Sequence, residues 1–286
     1  MSRATVLMAP AKVNLTLEVV GSRPDGYHEL ASVFATVDLR DRVRVAPWRA
    51  LDVKIAPAVD APRGDDLASR AVRALADASG RSALAHVRVR KRIPVASGLG
   101  GGSSDAGAVL RGLSRAWRLG SVDLTPIAAR VGSDVPFFVS GAAFALVRGR
   151  GELVEALPAP SDALWIALVR MPERLSTADV FAAHRAGPYE AERSAKLAKA
   201  LRDRKATVGV VRESLHNDLL AAAESVAPAI ADARKRASAL GIDLAMSGSG
   251  PSLFALGDDR AHAIRIARRL RRAGFGVRVV RLGVSP

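Results

Sequence analysis

Cysteine is absent from the 286 residues. That excludes a disulfide scaffold, an iron–sulfur cluster, a thiolate zinc site and a cysteine nucleophile. Aromatic residues make up only 4%, so stacking platforms for single-stranded nucleic acid are scarce. Long apolar runs are also missing. The longest uncharged, apolar-looking stretch, Val135 to Val147, is interrupted by Pro136 and Gly141 and is too short to cross a bilayer. The opening residues MSRATVLMAPAK lack the apolar core of a signal peptide. The expectation is a soluble cytoplasmic protein with no membrane partner. The five His show no metal-binding spacing, and no G-x-S-x-G elbow of a serine hydrolase is present.

Acidic residues are outnumbered: 28 Asp and Glu against 43 Lys and Arg, a net charge of +15. Such a surface attracts anions, nucleic acid among them. Only 7 of the basic residues are Lys. With abundant Ala, Gly and Val, that imbalance reads as compositional drift. The densest cluster, Arg265, Arg268, Arg269, Arg271 and Arg272, lies on one helical stretch and is expected to face water, so no specific nucleic-acid partner is expected. At 49% hydrophobic and 25% charged, the chain has material for a sizeable core and for one large domain or two modest ones.

Along the chain, Val13, Leu15, Leu17 and Val19 alternate with Lys12, Asn14, Thr16 and Glu18, the pattern of a half-buried strand. RPDGYH at 23–28 is a turn, and Val33 to Val45 is strand ending at Pro47. A helix is expected over 65–78, a strand around 87–89, a helix from Ser104 to about Trp117, and another ending near Val131. Glu155 to Ala163, with Pro158 and Pro160, is the best linker. It divides the chain into residues 1–158 and 163–286. Beyond it lie a strand at 165–169, helices at 189–203 and 218–239, a strand at 253–256, the arginine-rich helix and a strand at 277–282.

The strongest chemical signal is PVASGLGGGSSDA at 94–106, with four glycines in five positions between a strand and a helix. Glycine lets backbone approach a ligand closely, and a helix N-terminus offers free amides and positive dipole charge to phosphate. No Gly-Lys-Ser/Thr follows, so it is not a Walker A loop, and Ser103 stands where G-x-G-x-x-G needs its last glycine. Asp105 sits uneasily beside phosphate unless its side chain points away. SGSGPS at 247–252 is a second small-residue loop. By itself it is equally a plain turn.

APAKVNLTLEVVGSRPDGYHEL at 9–30, the glycine-rich loop, GSDVPFF at 132–138 and SGSGPS come in the order and spacing of the GHMP kinases, which the whole chain resembles. Within that family the DGYHEL segment is similar to the branch acting on cytidine diphosphate methylerythritol. The resemblance implies an α+β fold of two domains, an N-terminal α/β domain carrying the phosphate loop and a C-terminal ferredoxin-like domain, with the active site in the cleft between them. It implies phosphorylation of the 2-hydroxyl of 4-CDP-2-C-methyl-D-erythritol in the non-mevalonate route to isopentenyl diphosphate, with ATP and Mg²⁺ as cofactors and metal ligands unassigned. Asp134 matches the catalytic base and Lys12 its partner. An Asp amid Val, Pro and Phe needs a polar reason to be there. ATP binding is implied for Pro94, Val95, Ala96, Ser97, Gly98, Leu99, Gly100, Gly101, Gly102, Ser103 and Ser104. Substrate binding is implied for Asn14, Tyr27, His28, Phe181, Gly248, Ser249 and Gly250, with Tyr27 and His28 the cytosine pair and Phe181 closing the other face. Asp66 and Ser97 depart from the family pattern, which often has Asn and Gly there. The alternatives are another small-alcohol kinase of the family, or a basic RNA- or anion-binding protein on the same fold.

Overall fold

The computed structural model describes residues 4–24, 26–58, 64–185, 187 and 190–285. Asp25 of the RPDGYH turn and residue 189 of the expected 189–203 helix lie outside them.

The N-terminal half is organised by one long strand. In chain order its elements are β1 (Thr5–Asn14), β2 (Thr16–Ser22), β3 (His28–Pro47), β4 (Asp52–Ala56), α1 (Leu67–Ala78), β5 (Ala85–Arg90), α2 (Gly101–Ala116), α3 (Thr125–Val131), α4 (Val135–Ser140), β6 (Phe144–Gly149) and β7 (Leu153–Leu157). β3 runs for 20 residues and pairs antiparallel with β1, β2, β5 and β6. The β1–β3 register shifts between Pro10 and Ala11, where proline has no N–H for the ladder. α1, α2 and α3 cover one face of the sheet, burying Leu75, Leu110, Leu113 and Ile127 against Val43, Val45 and Val87.

The C-terminal half contains β8 (Trp165–Arg170), α5 (Thr177–Ala183), α6 (Glu192–Arg202), α7 (Val208–Ser214), β9 (His216–Asn217), α8 (Leu220–Val226), α9 (Pro228–Ser238), β10 (Ala245–Met246), β11 (Leu253–Gly257), α10 (Arg260–Arg272) and β12 (Gly276–Arg281). Its sheet has the antiparallel order β10-β11-β8-β12. With α8–α9 and α10 as crossovers, that is the ferredoxin-like arrangement expected. The stretch expected as one helix over 218–239 is two, broken at Pro228, whose missing N–H and fixed φ suit the first position of a new helix. The expected linker is shorter than its proline content suggests, because Glu155–Leu157 belongs to β7.

The two halves share apolar contacts. One buried cluster joins Val13, Leu15, Val33 and Phe144 to Leu164, Ile166, Leu197, Phe254 and Val280. β9 adds to the first sheet by pairing parallel with β2. This cover corrects the half-buried strand. Lys12, Asn14, Thr16 and Glu18 are all buried: α6 caps Thr16 and Glu18, while Lys12 lies against Gly100 and Phe34 and Asn14 against Ser32 and Ser247. Ser194 Oγ lies 2.8 Å from Thr16 Oγ1, and Glu18 accepts from the backbone N–H groups of Arg193 and Ser194 at 3.0 and 2.8 Å.

On α10 the buried residues are Ala263, Ile266, Ala267 and Leu270. The five clustered arginines are exposed, as the spacing predicts. Among the described residues no helix is long and apolar enough to cross a membrane.

Candidate active site

A cavity of about 1050 Å³ lies where the two halves meet, walled by β1, the glycine-rich loop, α5, the Gly132–Asp134 turn and the 247–252 loop. Of the residues expected to bind or react, Lys12, Asn14, Tyr27, His28, Asp134, Phe181, Gly248 and Ser249 line it, as do 94–98 and 100–103 of the glycine-rich loop. Leu99, Ser104 and Gly250 are not on its wall. Leu99 is core, its carbonyl accepting from the Lys12 N–H at 3.0 Å. Ser104 Oγ is buried without a hydrogen-bond partner.

The glycine-rich loop turns through left-handed φ at Gly98 (+73°) and Gly100 (+66°). At Gly98 a side chain has no room either, because a Cβ would lie 2.2 Å from the Ser247 carbonyl oxygen. The second glycine loop is therefore the floor of the first. Ser247 Oγ donates to the Gly98 carbonyl at 2.9 Å, and the Ser252 N–H donates to the Ser97 carbonyl at 3.2 Å. Buried Asn217, next to β2 in the sheet, donates to the Met246 and Gly248 carbonyls at 2.9 and 2.8 Å. Sequence reasoning missed Asn217, which has no motif around it.

α2 begins at Gly101, three residues earlier than expected, and no side chain caps it. The first intrahelical amide bond is Ser104 N–H to the Gly100 carbonyl. The amides of Gly101, Gly102 and Ser103 have no intrahelical acceptor and lie at the positive end of a 16-residue helix, a setting that suits an anion. Gly101 has no left-handed φ. A side chain there is excluded by Ile93 Cγ2, 2.8 Å from a Cβ, and by Lys91 Nζ at 3.1 Å.

Lys12 and Asp134 meet across the cavity, Lys12 Nζ lying 3.5 Å from Asp134 Oδ2. The ammonium is buried, donates to Asn14 Oδ1 at 2.7 Å and sits 4.5 Å from the centre of the Phe34 ring. Asn14 is fixed in turn by donating to Ser32 Oγ at 2.8 Å. Asp134 precedes α4 and makes no capping bond, so its carboxylate is engaged only with Lys12 and faces the cavity. A second buried lysine, Lys91, lies under the glycine-rich loop between Asp41 at 2.5 Å and Asp105 at 2.7 Å. Burial, opposed by Lys91, pushes the Asp105 carboxyl up to about 7.

At the other end, His28 stacks on Phe181 with ring centres 4.9 Å apart, leaving no room for a third ring between them. Burial and the neighbouring His184 lower the His28 pKa, so its imidazole is neutral at pH 7 and offers one donor and one acceptor. Tyr27 is exposed, with the Arg150 guanidinium 5.3 Å from its ring centre. The two departures from the family pattern have local roles. Asp66 caps α1, accepting from Ser69 N–H at 2.9 Å and Ser69 Oγ at 2.7 Å. Ser97 Oγ donates to the Pro94 carbonyl at 2.8 Å.

The family models for the GHMP kinase N-terminal and C-terminal domains match residues 66–142 and 197–276. The chain belongs to the GHMP kinases. It is 40% identical to the 4-diphosphocytidyl-2-C-methyl-D-erythritol kinase of Pelotomaculum thermopropionicum, over 96% of each chain. It is 39% identical to that of Brevibacillus brevis, over 96% of this chain and 94% of the other. A crystal structure of a 4-(cytidine 5'-diphospho)-2C-methyl-D-erythritol kinase superposes with a TM-score of 0.76 at 34% identity, covering 98% of this chain and 100% of that one. The homoserine kinase of Cytophaga hutchinsonii, at 19% identity and a TM-score of 0.72, covering 100% of this chain and 96% of that one, shares the GHMP kinase fold.

Proposed function

We propose that this GHMP kinase transfers the γ-phosphoryl group of ATP to the 2-hydroxyl of 4-CDP-2-C-methyl-D-erythritol. The observation that carries the reading is the Lys12–Asp134 pair facing the uncapped start of α2 across one cavity. The triphosphate rests on the free amides of Gly101, Gly102 and Ser103. The acceptor hydroxyl gives its proton to Asp134 as it attacks, and the ammonium of Lys12, held by Asn14 and Phe34, steadies the carboxylate and the charge that builds up. Positioned proton transfer of this kind contributes about 10²–10⁴ in rate.

Among the described residues no group of three or more His, Cys, Asp or Glu could cage a metal ion. Mg²⁺ needs no such cage, since it keeps its waters and is carried by phosphate oxygens with one or two carboxylates. Asp134, engaged only with Lys12, is the carboxylate of the cavity wall that would serve. When bound, Mg²⁺ neutralises charge on the β- and γ-phosphates.

His28 reads the cytosine edge with its donor and acceptor, while Tyr27 and Phe181 supply ring faces. The 4.9 Å stack must open for a base to lie against Phe181. Gly248 and Ser249 bound the acceptor side of the cavity. In this reading residues 1–158 hold the phosphate loop and the catalytic pair, and residues 163–286 supply the floor and part of the cytosine pocket.

The test is ADP formation from ATP with the cytidylyl substrate, compared with homoserine, galactose and mevalonate. Turnover confined to the cytidylyl compound supports the reading. Preference for one of the other alcohols overturns it.

A further inference from the structure

Beneath the glycine-rich loop lies a charge cluster that phosphoryl transfer does not use. Lys91, Asp41 and Asp105 are respectively 5%, 0% and 4% exposed in their side chains. Asp41 is held from two sides, its Oδ2 by the ion pair with Lys91 alone, without a hydrogen bond, and its Oδ1 by the backbone N–H groups of Arg92 and Ile93. Asp105 is not: Lys91 meets its Oδ2, while Oδ1 is buried with no partner. One ammonium thus serves two carboxylates, and with both ionised the cluster carries one uncompensated negative charge. An unpaired buried charge costs several kcal/mol, which protonation of the less engaged carboxyl removes.

The cluster adjoins the anion site. Lys91 Nζ lies 3.1 Å from where a Cβ on Gly101 would be, and the amide of Gly101 is one of those left free at the start of α2. Lys91 and Asp105 also line the cavity. Other charged groups on that wall are engaged elsewhere. On the α1 side, Asp65 pairs with Arg70 at 2.7 Å and Asp66 caps the helix. On β1, Lys12 pairs with Asp134. Phosphates arriving at the loop therefore raise the cost of the spare charge at Asp105 above all.

We propose that Asp105 is a positioning residue of the nucleotide site that takes up a proton from solvent when phosphates settle on the glycine-rich loop. The inference rests on the reading of that loop as the ATP site. The proton comes from the buffer acid and stays on the Asp105 carboxyl, leaving Lys91 to balance Asp41. The carboxyl is already raised to about 7 in the free protein, so near neutral pH it is about half protonated, and binding completes the other half.

The experiment is calorimetric titration of ADP in buffers of different ionisation enthalpy, which counts protons bound per nucleotide. Wild type should take up about half a proton more than Asp105→Asn near neutral pH, and the difference should vanish at about pH 5.5, where Asp105 is already protonated. Equal proton counts for the two proteins overturn the proposal and leave the ATP site standing. Failure of the wild type to bind ADP overturns the ATP site and the proposal with it. Asp41→Asn is a second, independent variant. It gives Lys91 to Asp105 alone, so Asp105 stays ionised, and the extra uptake should disappear while ADP still binds. Uptake unchanged in that variant counts equally against the idea.

Discussion

Lys12 and Lys91 are the same residue type, buried to the same degree on either side of the glycine-rich loop, and they do opposite work. Lys12 faces one carboxylate, Asp134, whose side chain is 29% exposed. Its other neighbours are a neutral amide and an aromatic ring. The pair is balanced, open to the cavity and free to take part in a reaction. Lys91 is enclosed by two buried carboxylates. It ties β3 to α2 and fixes the helix start. Burial alone thus says nothing about whether a charged side chain is chemical or architectural. The number and exposure of its counter-charges decide.

The sharpest way to break that comparison is to remove each ammonium. Lys91→Met leaves buried carboxylates without a cation and should cost about 3–5 kcal/mol of stability, read by denaturant unfolding. Lys12→Met should cost clearly less, because Asp134 can turn to water, while turnover collapses. Equal stability losses would erase the distinction. Asp134→Ala, on the open side, should lower kcat by at least about 10²-fold while ADP binding by titration is retained. Near-full turnover in that variant would remove Asp134 from the chemistry.

Gly101→Val probes the ground between the two lysines. The added side chain meets Ile93 and Lys91, and overpacking of this kind costs about 1–3 kcal/mol. By displacing the free amides at the start of α2, the change should lower nucleotide affinity about tenfold or more, with the cytidylyl substrate hardly affected. Equal losses for both ligands would point to general damage. At the small end, the triple change of Arg268, Arg269 and Arg272 to Gln removes exposed charge on α10 and the hydrogen bond from Arg269 to the Leu240 carbonyl. It should leave kcat/KM within about twofold at physiological salt, where the screening length is roughly 8 Å. A larger loss would mean that the basic surface reaches the site.

The members of the candidate site were legible where they sit in contiguous motifs. GSDVPFF picks out Asp134 by its apolar setting, and the glycine run picks out the loop that lines the cavity. The sequence could not show what covers a strand from far away. Thr16 and Glu18 alternate like solvent-facing residues, yet their partners are Ser194 and Arg193. Lys91 and Asp41 meet only because β3 and β5 pair. Short helices such as α5 and α7, of 7 residues each, carry too few turns for a periodicity to show. Pro228, within the stretch expected as one helix over 218–239, starts α9 and separates it from α8. Glycine density at Gly101 suggests left-handed backbone, but the side chains packed beneath it are the actual reason for glycine there.

The apolar cluster shared by the two halves bears on how the molecule comes apart. The segment between Pro158 and Ala163 buries no side chain and is tied down only through Ser161 and Asp162 to Ala206 and Val208, so it is a natural site for a protease nick. With Leu15, Val33 and Phe144 buried against Ile166, Leu197 and Phe254, and β9 hydrogen-bonded into the opposite sheet, a single cut there should yield two fragments that stay together through gel filtration. Coexpressed as separate chains, the same fragments should reassemble into one particle, and each made alone should expose its half of the cluster and precipitate.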